Sequence, residues 1–219
     1  MNKSPKTNLI LYELNEVPRK LLNTYTEMFP SSAFAEILEK GICIDTFTKD
    51  EGELHPWSTW PTVHRGVNNK IHNIRYINQE LKPSKGYPPV WEILAKNNVD
   101  VGIFGSLQSY PPIRNKFYKF YLPDTFAPSP NAHPSDLSKF QSFNLDLSYE
   151  NKAIARKISF NNIIKFLDLL KDGTISKSAG IAAFNQIIKE KINAKNKSRR
   201  TNIQNVLFFH IFYKNLNKY

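Results

Sequence analysis

The chain has 219 residues, of which 41% are hydrophobic and 22% are charged, and its formal net charge is +11. These proportions are typical of a globular protein, and the length suffices for one α/β domain. No apolar run approaches the roughly 20 residues of a membrane span, and the short run near the N-terminus does not match a signal sequence. A single cysteine, Cys43, excludes an internal disulfide. We therefore expect a cytoplasmic protein without a membrane span.

The positive charge is concentrated in the last third of the chain. Residues 151–219 contain 14 Lys and Arg against 3 Asp and Glu, whereas residues 1–150 contain 16 of each kind and are neutral overall. A basic segment of this kind binds anionic partners or serves as a solvated linker between helices. Base-stacking aromatic residues are not interleaved with the charges, so specific binding of nucleic acid is not expected.

The apolar pattern of the first 150 residues predicts strands that alternate with helices. The four predicted strands are 8–13, 42–48, 99–105 and 117–122. The predicted helices are 18–28, 32–40 with Gly41 as its stop, 61–67, and one entered through the prolines at 88 and 89. This alternation is typical of βαβ units, so we expect an α/β core over 1–150 with a mainly parallel sheet and flanking helices. Cys43 falls in the second strand, where we expect it to be buried.

A helical pattern runs through residues 151–219. Two stretches carry apolar residues at helical spacing: Phe160, Ile163, Ile164, Leu167 and Leu170, and then Ile181, Phe184, Ile187 and Ile188. Thr201 and Gln204 have the spacing of a capping box, which predicts that a third helix begins there. We expect 151–219 to be a basic helical segment that belongs to the same domain as 1–150.

A candidate nucleophile lies in the stretch 55–66, whose sequence is HPWSTWPTVHRG. Pro61 favours the first turn of a helix, so we expect Thr59 to lie at or just before a helix N-terminus. Backbone N–H groups and the helix dipole favour anions there. A hydroxyl nucleophile beside an anion site is the arrangement that phosphoryl or sulfuryl transfer needs. The alternative is that Thr59 merely caps the helix.

The segment Thr59-Trp60-Pro61-Thr62, with Gly66 and His72-Asn73-Ile74 downstream, resembles the nucleophile region of the alkaline phosphatase superfamily. The likeness is closest to its nucleotide pyrophosphatase/phosphodiesterase and sulfatase branches. In these proteins a Thr, Ser or Cys nucleophile is followed by x-Pro, a helix ending in Gly, and a His-Gly-Ile turn. Their first strand ends in an acidic metal ligand, and Glu13 occupies that position here. The resemblance covers about residues 8–105 and, more loosely, 120–219.

This resemblance implies an alkaline phosphatase-like fold and metal-dependent hydrolysis of phosphate mono- or diesters, or else of sulfate esters. Thr59 is then the catalytic nucleophile, and Glu13 and Thr59 are ligands of a divalent metal. Asn15, an oxygen donor close to Glu13 in sequence, is a further candidate ligand. Zinc is the first expectation, with manganese or magnesium as alternatives. Arg65 and His64, which are close to Thr59 in sequence, are the candidates for binding the anion of the substrate.

The superfamily takes its remaining metal ligands from Asp and His motifs in its C-terminal half. After His133 this chain has one histidine, His210, and after Asp172 it has no aspartate. We therefore expect an incomplete second metal site in a truncated chain that is weakly active or inactive alone. Its expected partners are the missing C-terminal half or a second copy, together with the ester substrate. The alternative hypothesis is a non-enzymatic remnant, or a binding module that contacts anionic partners through its basic helices.

Overall fold

The computed structural model describes residues 8–77, 79–81, 86–150 and 159–219. Within these residues the chain is a mixed α/β protein in which helices predominate. It divides into two compact units, Met1–Lys49 and Asp50–Tyr219. The division into an α/β core over 1–150 and a basic helical segment of the same domain over 151–219 stays a prediction.

Over residues 8–49, the part of the first unit that the structure describes, there are two helices. Helix α1 spans Arg19–Met28 and helix α2 spans Ala33–Lys40. Both were predicted, and Gly41 follows the last residue of α2 as expected. The ring of Phe34 packs edge-on against Tyr25 at a centroid distance of 6.2 Å, which joins the two helices through aromatic contact.

The two strands predicted in this unit, 8–13 and 42–48, are wrong. Neither segment is assigned to a sheet among the described residues, and Leu9 and Phe47 are 88% and 93% exposed. Cys43, which was expected to be buried, is exposed as well. Apolar content indicates that a segment tends to be buried. A strand also requires a neighbouring strand to pair its backbone N–H and C=O groups. The sequence of one segment does not tell whether such a neighbour is present.

The second unit contains a parallel pair of strands. Strand β1 spans Val101–Phe104 and strand β2 spans Tyr118–Leu122. Phe104 is aligned with Leu122, and the amide of Gly105 donates to the Leu122 carbonyl at 2.8 Å. The predictions of strands at 99–105 and 117–122 and of their parallel arrangement are confirmed.

Helices surround this pair of strands. The helices before β1 are α3 (Pro56–Arg65), α4 (Asn69–His72) and α5 (Val90–Lys96). Those after β2 are α6 (Asp136–Glu150), α7 (Phe160–Lys171), α8 (Lys177–Ile192), a 3-10 helix (Ala194–Arg199) and α9 (Arg200–Leu216).

The helical character of 159–219 is confirmed. The predicted third helix is present as α9, which begins at Arg200, so that Thr201 lies in its first turn and not at its N-cap. Every helix in the described ranges is too short or too polar to cross a lipid bilayer.

Among the described residues, α6 is the longest helix that the apolar pattern does not reveal. Its buried side chains are Leu137, Phe140, Gln141, Phe143, Asn144 and Leu145. They cover more than half of the helix circumference, and two of them are polar. A helix buried in this way lacks the narrow apolar stripe from which a surface helix is predicted.

Two hydrophobic clusters lie against the strands. Val101 and Ile103 of β1 pack with Trp91 of α5. Phe104, whose side chain alternates to the other face of the strand, packs on Phe208 of α9 at a ring distance of 4.5 Å. The strands are therefore covered by α5 on one side and by the C-terminal helices on the other.

Position 105, directly after β1, requires glycine because of its backbone conformation and because little space is left for a side chain. Its φ is +76°, and a Cβ at this position would lie 2.4 Å from the ring of Phe208. We predict that Gly105→Ala lowers the free energy of unfolding by about 1–3 kcal/mol, because left-handed backbone strain and overpacking both oppose the methyl group. Urea denaturation followed by circular dichroism measures the loss.

The matched control for this prediction is Gly86→Ala, because a Cβ on Gly86 meets no atom of the described residues within 4 Å, its chain neighbours aside. This control should leave the stability unchanged or raise it by up to about 1 kcal/mol. Equal losses in the two variants would contradict the role assigned to Gly105.

Candidate active site

Thr59 lies in the first half of α3 and not at its N-terminus. The helix begins at Pro56, so Thr59 is its fourth residue, and its amide donates to the carbonyl of His55 at 2.9 Å. The Thr59 hydroxyl donates to the same carbonyl at 3.1 Å. The predictions that the helix begins at Pro61 and that Thr59 precedes it are therefore wrong. Pro56 is an earlier proline with the same preference for the first turn, and it takes that position.

Pro61 lies inside α3 and leaves one carbonyl without its helical donor. This carbonyl belongs to Trp57, four residues earlier. The side-chain amide of Gln108 lies 3.4 Å from the Trp57 oxygen and 2.7 Å from the Tyr76 oxygen, and it donates to both. Gln108 belongs to the loop that follows β1. The first turn of α3 is thus attached to the carboxyl end of the parallel strands.

A buried carboxylate holds this loop in place. Asp124 follows β2 and is 5% exposed. It accepts the amide of Gln108 at 2.9 Å and the amide of Phe126 at 2.8 Å. Burial raises the pKa of Asp124, and the backbone N–H donors oppose this shift because they stabilise the charged form. The loops after β1 and β2 are therefore joined by hydrogen bonds to one carboxylate.

A second network joins the residues before α3 to α3 and α4. The hydroxyl of Thr62 donates to the Asp50 carboxylate at 2.8 Å and lies 2.9 Å from Nε2 of His72. Asp50 also accepts the amide of Asn69 at 2.8 Å. The other ring nitrogen of His72, Nδ1, accepts the amide of Ile74 at 3.0 Å. His72 itself is completely buried.

The direction of these hydrogen bonds excludes a nucleophile and base pair at Thr62. Because Nδ1 of His72 accepts a backbone N–H, the proton of the neutral ring lies on Nε2 and points to the Thr62 oxygen. The Thr62 hydroxyl in turn donates to Asp50. His72 therefore has no free lone pair with which to take a proton from Thr62, and the network is a structural brace.

Burial lowers the pKa of His72 below its ordinary value of 6.5, and Nδ1 cannot gain a proton without losing its bond from Ile74. The unfolded chain thus binds a proton at a higher pH than the folded chain does. We predict that the free energy of unfolding falls as the pH drops from about 7 through the histidine range, and that His72→Gln reduces this slope. Urea denaturation of both proteins across the pH series measures it. An unchanged slope in the variant would contradict the assignment.

Thr62 and Thr59 form a matched pair for testing the brace. Thr62→Val keeps the shape of the side chain but removes the hydroxyl shared by Asp50 and His72, so we expect a loss of about 1–3 kcal/mol in the free energy of unfolding. Thr59→Val removes a hydroxyl that bonds to a carbonyl of its own helix terminus, and we expect a change within about 0.5 kcal/mol. Denaturation curves of the two variants measure these changes. Similar losses in the free energy of unfolding would contradict the brace role that is assigned to Thr62 and not to Thr59.

The two predicted substrate-binding residues lie at the end of α3. The ring of His64 is 3% exposed and packs between Trp60 at 5.9 Å and Trp91 at 4.8 Å. The Arg65 guanidinium donates to the carbonyl of Tyr87, and burial lowers the pKa of Arg65. These contacts fit a packing role for His64 and a half-buried cation at Arg65. Their binding of a substrate stays a prediction.

The predicted metal ligands are divided between the two units. Glu13 and Asn15 belong to Met1–Lys49, and Thr59 belongs to Asp50–Tyr219. The convergence of Glu13 with Thr59 stays a prediction. Within the ranges that the structure describes, no group of three or more His, Cys, Asp or Glu side chains is arranged to hold a metal ion.

Sequence reasoning missed the residues that hold the candidate site together, namely Asp50, Thr62, Gln108 and Asp124. One signal was present, since Asp124 directly follows a predicted strand, and polar residues at the carboxyl ends of parallel strands are where α/β folds place their sites. Comparisons with protein-family models, with curated proteins and with solved structures gave no match. The resemblance to the alkaline phosphatase superfamily therefore stays a prediction.

Proposed function

We propose that this chain carries the nucleophile of a metal-dependent hydrolase that acts on phosphate mono- or diesters, with sulfate esters as the alternative substrate class. One observation carries the proposal. The helix of Thr59 is joined through Gln108 to the carboxyl end of the parallel strands, the edge at which α/β proteins bind their ligands. The resemblance of 59–62 to a superfamily nucleophile adds to it.

The proposed chemistry starts at the Thr59 hydroxyl, which is half-buried. Its oxygen attacks the phosphorus, the ester alcohol leaves, and the phosphoryl group passes to Thr59 before water releases it. The carbonyl of His55 orients the hydroxyl but cannot take its proton. A bound divalent metal would lower the pKa of the Thr59 oxygen, so that the hydroxyl proton could pass to water, and the departing alkoxide would take a proton from water in turn. Glu13 and Asn15 are the residues proposed to hold the metal.

The proposal is tested on the full chain with aryl phosphate mono- and diesters and an aryl sulfate, each with zinc, manganese or magnesium. We expect weak metal-dependent turnover that falls more than about 100-fold in Thr59→Ala and is largely retained in Thr59→Ser, which keeps a hydroxyl. Thr62→Val is the matched control. Per folded molecule it should retain the activity, because Thr62 belongs to the brace.

Binding of orthovanadate, a mimic of the transferring phosphoryl group, gives a second measurement by calorimetry. We expect metal-dependent binding that Thr59→Ala weakens. Two outcomes would contradict the proposal: turnover and vanadate binding that are both absent with every metal, or turnover that is unchanged in Thr59→Ala.

A further inference from the structure

Helix α8 carries its large apolar side chains on the side that faces solvent. The buried side of the helix consists of small and polar residues, namely Ala179, Gly180, Ala183, Gln186 and Glu190. The exposed side carries Ile181, Phe184, Ile188 and Ile192, which are 61%, 61%, 40% and 81% exposed. We call these four residues the α8 stripe. An ordinary surface helix has the opposite arrangement, with its apolar face toward the core.

The α8 stripe is a continuous line along the helix. Its members follow one another at intervals of three, four and four residues, which is the spacing that keeps side chains on one face. The line runs over most of the helix Lys177–Ile192. Contiguous apolar surface of this kind marks an interaction site more often than scattered exposed residues do.

The charges beside the stripe have one sign. Lys177, Lys189 and Lys191 are exposed. The one acidic residue of the helix, Glu190, is buried and accepts a hydrogen bond from Gln186 at 3.1 Å. The solvent side of α8 is therefore apolar along its centre and positive at its ends. Over 159–219 the sequence has 11 Lys and Arg, these three included, against 3 Asp and Glu.

We propose that α8 binds the surface of membranes rich in anionic lipids, lying in the plane of the interface. The stripe enters the boundary between headgroups and acyl chains, and the lysines contact the anionic headgroups. A second copy of the chain fits less well, because two surfaces of the same positive sign repel each other. Nucleic acid also fits less well, since the stripe offers a single aromatic ring, Phe184, for base stacking.

Co-sedimentation of the full chain with lipid vesicles tests the proposal. We expect binding to vesicles of phosphatidylcholine with one third phosphatidylglycerol, and at least about tenfold weaker binding to phosphatidylcholine alone, because each lysine near an anionic surface contributes about fivefold. Raising the salt should weaken binding to the anionic vesicles.

Two pairs of variants separate the stripe from general effects. Phe184→Ser/Ile188→Ser should reduce binding at least about tenfold, because each exposed side chain loses its burial in the interface. The control Phe126→Ser/Ile93→Ser changes the same residue types at 42% and 47% exposure and should bind like the wild type.

Lys177→Glu/Lys191→Glu should abolish the preference for anionic lipid, whereas Lys20→Glu/Lys96→Glu, with the same change in net charge, should retain it. Circular dichroism confirms that each variant is folded.

Several outcomes would overturn the proposal. Equal binding to neutral and anionic vesicles would remove the role of the lysines. Unchanged binding in both α8 variants would remove the role of this helix. Dimerisation in sedimentation that the stripe variant abolishes, without vesicle binding, would assign the stripe to a second copy. Binding to a single-stranded oligonucleotide but not to vesicles would assign the charge to nucleic acid. None of these measurements depends on hydrolase activity.

Discussion

The candidate active site depends on the hydrogen bonds that the buried Asp124 carboxylate accepts. A buried charge is costly unless donors surround it, and here backbone amides of the loops after both strands supply them. Because the amide of Gln108 is one of these donors, its side chain is held where it reaches the carbonyl that Pro61 leaves open in α3. The position of Thr59 thus follows from a chain of contacts that starts at the end of β2.

The sequence predicted the parts of this arrangement that depend on local pattern. The strands 99–105 and 117–122 were found because continuous apolar runs between turn residues are typical of buried parallel strands. The start of α3 was misplaced because Pro56 and Pro61 carry the same local preference, and what makes an internal proline tolerable is Gln108, 47 residues further along the chain. A contact at that distance has no local signal.

The candidate site shows the same division. Thr59 was chosen as a hydroxyl at a helix N-terminus, but it is the fourth residue of α3, and Thr62 lies about one turn further along the same helix. The structure separates them by their partners, since Thr62 is fixed between Asp50 and His72 while Thr59 bonds to its own helix terminus. Segments 8–13 and 42–48 failed as strands for a related reason: pairing needs a second segment. Helix α8 shows a related limit, because the apolar period predicted a helix but did not tell which side of that helix faces solvent.

The exposed thiol of Cys43 makes the segment 42–48 accessible to chemical modification. It is the one thiol in the sequence, and it lies near the start of the stretch 42–48. The rate at which a thiol reagent modifies a cysteine depends on access as well as on the thiolate fraction. A label at this single position therefore reports whether the stretch is open or covered, and it does so without any engineered substitution.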